Sequence, residues 1–292
     1  MNDYLTSIFL GIIEGLTEFL PVSSTAHLRI TEALLGMDLG DGFWKMFSIV
    51  IQLGAILCLP IYFWKRILGF FATFPAGTKG NKTFLTHPIG LTAVAFVCTA
   101  APAFLLTKII GKHLEDLKLM ASALIVGGIV MWVVDAKFGA KKGSTFANAA
   151  EELETMSLPQ AIWIGLCQTL SAVFPGTSRS MVTIAAGQIS GLTRTAALEF
   201  SFLVSIPTMA AATGYDLLKT LKGGKGEMAA PPIHIDSHGW IVIAIGFATS
   251  FLVAYAVVAW FMYWVRKHGF TPFAIYRIVL GLGVLIWQFN RA

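Results

Sequence analysis

Charge is what this sequence has little of. Only 13% of its 292 residues are Asp, Glu, Lys or Arg, and 56% are apolar; soluble domains carry about a quarter charged residues. With a mean hydropathy of +0.73, a soluble globular domain and a disordered chain are both excluded, and the composition is that of a membrane protein. Cysteine is scarce too. Cys58, Cys98 and Cys167 each lie inside an apolar run, without the spaced pairs of a disulfide framework or a zinc site. No basic run is present; the 21 Lys and Arg are scattered through connections, giving a net charge of +5. That pattern excludes nucleic acid as a partner and suits anionic lipid. The first apolar segment lacks a basic leader and contains Glu14 and Glu18, so it is not expected to be a cleaved signal.

A bilayer span needs about 20 apolar residues. Six runs qualify, at roughly 44–64, 88–110, 119–136, 197–218, 239–265 and 272–289. Two further regions, about 4–36 and 158–190, are apolar but broken near the middle by Pro21-Val-Ser-Ser-Thr and Pro175-Gly-Thr-Ser-Arg-Ser. They read as re-entrant helical hairpins. Non-helical backbone at membrane depth requires protein or a wet cavity around it, so two such breaks imply a polar chamber. The expected fold is therefore an all-α integral membrane protein: six transmembrane helices plus two re-entrant hairpins in one membrane domain, 1–292.

The two broken segments resemble each other. Gly11 to Thr25 aligns with Gly165 to Arg179 at an offset of 154, pairing Glu14 with Gln168, Pro21 with Pro175 and Ser24 with Ser178. Three spans separate the copies, so the second enters from the opposite face. An inverted-topology repeat follows, with halves of about 1–136 and 137–292 and tips meeting near the midplane. Six crossings put Lys65, Arg66, Lys79, Lys82, Lys137, Lys141, Lys142, Arg194, Arg266 and Lys267 on one side. Arg29, Lys45, Lys108, Lys112, Lys118, Lys219, Lys222, Lys225 and Arg291 fall on the other. The positive-inside rule favours a cytoplasmic place for the first group, with the termini outside.

Glu14 and Glu18, four residues apart, project from one helical face. Two carboxylates in hydrocarbon need a cation, a proton or an arginine beside them; an interfacial position with both acids solvated is the plainer alternative. After Pro21, Ser23, Ser24, Thr25 and His27 lead into a new helix, where hydroxyls and free first-turn N–H groups form an anion cradle. His27 could serve a hydroxyl nucleophile as base, or Ser23 or Ser24 could simply cap the helix and His27 pack. The second tip supplies Thr177, Ser178, Arg179 and Ser180, with Thr183 a turn on. Arginine matches phosphate oxygens bidentately and is seldom kept at bilayer depth without an anion; a salt bridge from Arg179 to Glu14 or Glu18 is the structural alternative. Together these groups suit binding and cleavage of a phosphate ester or anhydride. His234-Ile-Asp236-Ser-His238 has chelating residue types but reads as solvated connection. The charged stretch 137–154 reads as an exposed loop. Gln52 and Arg277 are expected to line the cavity or cap a helix end.

Four stretches carry a resemblance: Glu14-Gly-Leu-Thr-Glu18-Phe-Leu-Pro-Val-Ser-Ser-Thr-Ala-His27, Phe174-Pro-Gly-Thr-Ser-Arg179-Ser, Arg194-Thr-Ala-Ala-Leu-Glu-Phe-Ser-Phe-Leu-Val-Ser-Ile-Pro207 and Phe273-Ala-Ile-Tyr-Arg277. In these, nearly end to end, the chain resembles the undecaprenyl-diphosphate phosphatase family, also called the bacitracin-resistance protein family. The resemblance implies a multi-pass enzyme of the bacterial inner membrane, its site facing the periplasm. Such an enzyme hydrolyses undecaprenyl diphosphate to undecaprenyl phosphate and inorganic phosphate, recycling the lipid carrier of peptidoglycan synthesis. It further implies catalytic roles for Glu14, Glu18, Ser24, His27 and Arg179, and a divalent cation, Mg2+ or Ca2+, held by Glu14 and Glu18. Ser23, Thr25, Thr177, Ser178, Ser180 and Thr183 are the expected substrate-binding residues. The implied partners are undecaprenyl diphosphate, membrane lipid, and bacitracin as a competitor that sequesters the substrate, with a second copy of the chain as a candidate. Two positions depart from the family pattern: Ala26 and Met181 stand where glycine is usual.

The expected mechanism has Arg179 and the helix-start amides holding the diphosphate, and Ser24, or water, activated by His27, attacking the terminal phosphorus. The rival reading is a polyprenyl-phosphate flippase or an ion-coupled secondary transporter, which use the same inverted repeats. A type 2 phosphatidic-acid phosphatase would need a Lys-x6-Arg-Pro element, which is absent.

Overall fold

The computed structural model describes residues 2–106, 116–139, 152–222 and 235–290. Lys108, Lys112, Lys141, Lys142, Lys225, His234 and Arg291 lie outside them, with most of the 137–154 loop, the end of the 88–110 run and the side chains of Lys219 and Lys222. Among the described residues every regular element is a helix. The first broken segment forms α1 (Asp3–Thr17) and α2 (Ser24–Leu34), the second α7 (Leu158–Val173) and α8 (Arg179–Ile189). At most 16 residues long, each member is too short to cross alone. Both members of each pair pack on each other, as a re-entrant hairpin requires.

Among the described residues six helices are long and apolar enough to span: α3 (Gly42–Tyr62), α5 (Pro88–Leu105), α6 (Leu117–Phe138), α9 (Arg194–Lys222), α10 (Ser237–His268) and α11 (Thr271–Phe289). They match the six expected runs to within a few residues where both ends are described. Polar caps set their starts: Asp41, Asp116 and Asp236 accept first-turn N–H groups of α3, α6 and α10, satisfying donors that lipid cannot. Asp236 is thus a cap, and His238 beside it bonds Tyr4 and Asp3 at the start of α1. One helix escaped the sequence reading. α4 (Trp64–Thr73) follows α3 directly and exposes Trp64, Leu68 and Phe71, the habit of a helix lying in the interface.

The breaks repeat, but one residue out of the expected register. Ser23 caps α2 with φ 74° and Ser178 caps α8 with φ 73°, each accepting the N–H three residues on. The two helices also end alike: Met37 N–H donates to Glu32 and Leu192 N–H to Gly187, past Gly36 and Gly191 in the left-handed region. All these pairs sit 155 apart, so Ser23 matches Ser178 and Ser24 matches Arg179. The additional residue is Gly176, whose φ of 92° and approach to Met120 leave no room for a Cβ: one would fall 2.6 Å from the Met120 carbonyl oxygen.

Packing crosses between the halves. α1 lies on α10 and α7 on α5, α3 on α10 and α9 on α5, while α3 meets α9 and α6 meets α11. A buried polar knot fastens the α6 end. Asp135 accepts from Arg194 at 2.7 and 3.0 Å, from Gln188, and from Phe270 N–H and Thr271.

Candidate active site

Both tips converge on one guanidinium. Arg277 of α11, fully buried, donates to Pro21 O (3.1 Å) in the first break and to Gly176 O (3.2 Å) and Thr177 O (2.9 Å) in the second. Its remaining bonds reach Leu124 O and Ala123 O of α6. Broken helices expose carbonyls that hydrocarbon cannot solvate, and five donors on a planar fork satisfy several at once. Arg277 therefore caps, as one of its two expected roles, and it ties the tips together.

Beside that clamp, Arg179 Nη2 donates to Glu18 Oε1 at 2.9 Å, and Ser24 Oγ donates to Glu18 Oε2 at 2.5 Å. Glu18 continues the α1 backbone geometry, its N–H on Glu14 O, so both acids lie on one face as expected. The salt bridge foreseen for Arg179 is present, to Glu18. Glu14 is wholly buried, and neither of its carboxylate oxygens has a hydrogen-bond partner among the described residues; neither has Arg179 Nε. A buried carboxylate and a buried guanidinium N–H without partners are each costly, and a bound cation is a group that would satisfy the first. Among the described residues no three His, Cys, Asp or Glu gather as a metal cluster. Two carboxylate side chains, Glu14 and Glu18, are oxygen donors of the kind that would hold Mg2+ or Ca2+.

His27 is placed differently from the expected base. Its Nδ1 lies 2.7 Å from Ser23 O and its Nε2 2.8 Å from Tyr276 Oη, with the two rings stacked 5.6 Å apart. Since a carbonyl only accepts, Nδ1 carries the proton and Nε2 accepts from the phenol. Ser24 is bonded to Glu18 instead. His27 lies one turn beyond Ser24, but its ring nitrogens bond the Ser23 carbonyl and Tyr276 of α11.

A cavity of about 520 Å³ opens beside these groups. Glu18, Ser23, Ser24, Thr25, Ser178 and Arg179 border it, while Glu14, His27, Thr177, Ser180 and Thr183 do not. Ser180 Oγ donates to Leu20 O at 3.0 Å, and Thr183 Oγ1 bonds Arg179 O and Ser201 Oγ; both hydroxyls serve the tips' own backbone and packing. Gln52 lines the chamber, as one of its expected roles had it. So do Gln168, Thr99 and Thr208. Gln168, read only as Glu14's repeat partner, donates to Thr208 Oγ1 and leaves Oε1 unpartnered. Thr99 and Thr208 carry no sequence signal, being single hydroxyls in apolar runs. Met181 is buried and packs towards Gly127 of α6, away from the cavity.

Among the described residues six helices long enough to span surround two broken segments whose serines, acid and arginine meet beside one cavity, and these define a multi-pass membrane protein with a polar site within it. The chain belongs to the family described as bacitracin resistance protein BacA, whose model matches residues 7–283. It is 68% identical to the undecaprenyl-diphosphatase of Koribacter versatilis over the whole of both chains. It is 41% identical to that of Rhizobium etli (strain CIAT 652), over 97% of this chain and 96% of the relative. With the undecaprenyl-diphosphatase of Xanthomonas euvesicatoria the identity is 37%, over 98% of each.

Proposed function

We propose that the protein hydrolyses undecaprenyl diphosphate to undecaprenyl phosphate and inorganic phosphate. The carrying observation is the Arg179–Glu18–Ser24 chain, which joins the two tips and borders the cavity; membership of the family and its undecaprenyl-diphosphatase relatives support it. The incoming diphosphate takes over the donors of Arg179, including the unpartnered Nε, and the first-turn N–H groups of α2 and α8. Glu18 is thereby released to accept the Ser24 proton. Ser24 Oγ attacks the terminal phosphorus, the bond to the bridging oxygen breaks, and undecaprenyl phosphate leaves with the electron pair. Water then hydrolyses the phosphoserine, releasing phosphate and restoring the hydroxyl. His27 fixes the Ser23 carbonyl and so the left-handed turn that aims Ser24. Thr25 and the Ser23 and Ser178 caps complete the cradle, with Thr177, Ser180 and Thr183 behind it.

A divalent cation, Mg2+ or Ca2+, would be held by Glu14 and Glu18 and would neutralise the diphosphate's charge; the unpartnered carboxylate of Glu14 supports this. The cavity borders Phe104 and Tyr215, near the C-terminal ends of α5 and α9. That side is opposite Lys65, Arg66, Lys79, Lys82, Lys137, Arg194, Arg266 and Lys267. By the positive-inside rule the chamber then faces the periplasm of a bacterial inner membrane. Bacitracin acts there by sequestering the substrate, and a second copy of the chain is a candidate partner. Phosphate release from undecaprenyl diphosphate by protein purified in detergent, with no second compartment, is the expected result; binding without release would favour the flippase or transporter.

A further inference from the structure

The end of the molecule away from the chamber has a corner of one charge. α10 is 32 residues long, about 48 Å at 1.5 Å per residue, against a hydrocarbon core of about 30 Å. Its last turns, Tyr263 to His268, therefore reach headgroup level, beside the junction where α3 ends and the interfacial α4 begins. There Tyr62 packs edge-on against Tyr255 at 5.8 Å, and the Arg266 charge acts on the Tyr62 hydroxyl. Lys65 follows three residues on, exposed beside Trp64. Lys267 Nζ donates to Tyr263 Oη at 2.9 Å and lies 4.9 Å from the centre of that ring, which uses one of its three N–H groups. Neither 42–75 nor 237–290 contains an Asp or Glu.

Other cations of this end are turned inward. Arg66 pairs with Glu199 at 2.6 Å and Arg194 with Asp135 at 2.7 Å, both acids being buried. Lys65, Arg266 and Lys267 stay on the exposed side, with Trp64 and Tyr263, ring types that settle at a membrane interface. We infer that this corner is a binding site for the headgroup of an anionic phospholipid, whose phosphodiester lies among Arg266 and Lys267 of α10 and Lys65 of α4. Arginine takes two phosphate oxygens through its planar fork, and the lysines add point charges. Basic pockets between spans recognise acidic lipids in this way. The acyl chains lie on Ile61 of α3 and Tyr255 of α10, both exposed. That apolar contact selects a lipid over free phosphate, which cannot use it. The corner shares no residue with the chamber, so it stands or falls apart from the proposed hydrolysis.

The test is native mass spectrometry of the full chain in detergent, giving the Kd of the first phosphatidylglycerol and of the first phosphatidylcholine bound. Phosphatidylglycerol should bind the wild type about tenfold more tightly. Arg266→Gln with Lys267→Gln should abolish the preference, and Lys65→Gln alone should weaken it. Lys45→Gln with Lys118→Gln, which removes the same charge from the opposite end, should leave it intact. Equal affinity for the two lipids in the wild type, or an equal loss in both double variants, overturns the site. A preference that survives in the α10 variant does so too, because it places the lipid elsewhere, the chamber included. Millimolar inorganic phosphate should not displace phosphatidylglycerol; displacement would make the corner a site for the free ion and contradict the proposal.

Discussion

Ser24 and Arg179 occupy matching positions, each the first residue of a helix that follows a left-handed serine. In the proposed mechanism the repeat thus delivers a nucleophile from one tip and an anion receptor from the other. Ser24→Ala should lower kcat at least a hundredfold, since the oxygen that forms the covalent bond is gone; normal turnover in a steady-state phosphate assay would exclude it as nucleophile. Tyr276→Phe removes one hydrogen bond to His27 Nε2, worth about 1 kcal/mol. A fall of roughly fivefold in kcat with little change in KM is expected if His27 orients the turn. Cation binding should be visible without catalysis. Mg2+ or Ca2+ should raise the melting temperature of the wild type by mass action and not that of Glu14→Gln; equal shifts in both would place the ion elsewhere. At this scale the sequence was legible in kind rather than in contact. Residue types and spacing named the acids, the serine and the arginine. The Glu18–Ser24 bond and the His27–Tyr276 pair depend on rotamers and on a helix 249 residues away, which spacing cannot encode.

The breaks are the elements on which the site depends. Arg277 holds three tip carbonyls and two of α6, so Arg277→Lys leaves several of them bare in a dry interior. About 3 kcal/mol or more should be lost, read as a lowered melting temperature in detergent, with activity falling alongside; an unchanged melting temperature would contradict the clamp. Outside the spans, His87 caps α5, its Nδ1 on Ile89 N–H, and burial pushes it below the usual imidazole range. The unfolded chain then binds the proton first. This contribution is full above about pH 6.5 and is lost as the pH falls from there towards the folded value. His87→Asn, which keeps a cap, should flatten that acid-side decline in thermal stability. Long spans were legible because hydrophobic length is all a bilayer asks of them. α4 was not: at 10 residues it falls below that signal. The repeat's true register was hidden because aligning the prolines absorbs Gly176, and only the φ angles and caps reveal the additional residue.

Across the whole molecule, the repeat and the cavity divide the labour. The two hairpins that repeat each other meet at one guanidinium, while the cavity bordered by α5 and α9 leaves room for a ligand. The likeness of the two breaks was readable from their shared prolines and serines. The chamber's alanine wall was not, because Ala100, Ala103, Ala211 and Ala212 look like any small residues in a span until two helices are seen to border one cavity. The account's central claim is that both tips act on a single diphosphate. It is tested most directly by divalent-dependent phosphate release from undecaprenyl diphosphate for the wild type, Ser24→Ala, Arg179→Ala and the double variant. Groups that work as a unit are strongly non-additive. Each single variant should lose at least a hundredfold in kcat, with the double scarcely worse. An Arg179→Ala protein that turns over normally, or two losses that simply multiply, would contradict a shared chamber.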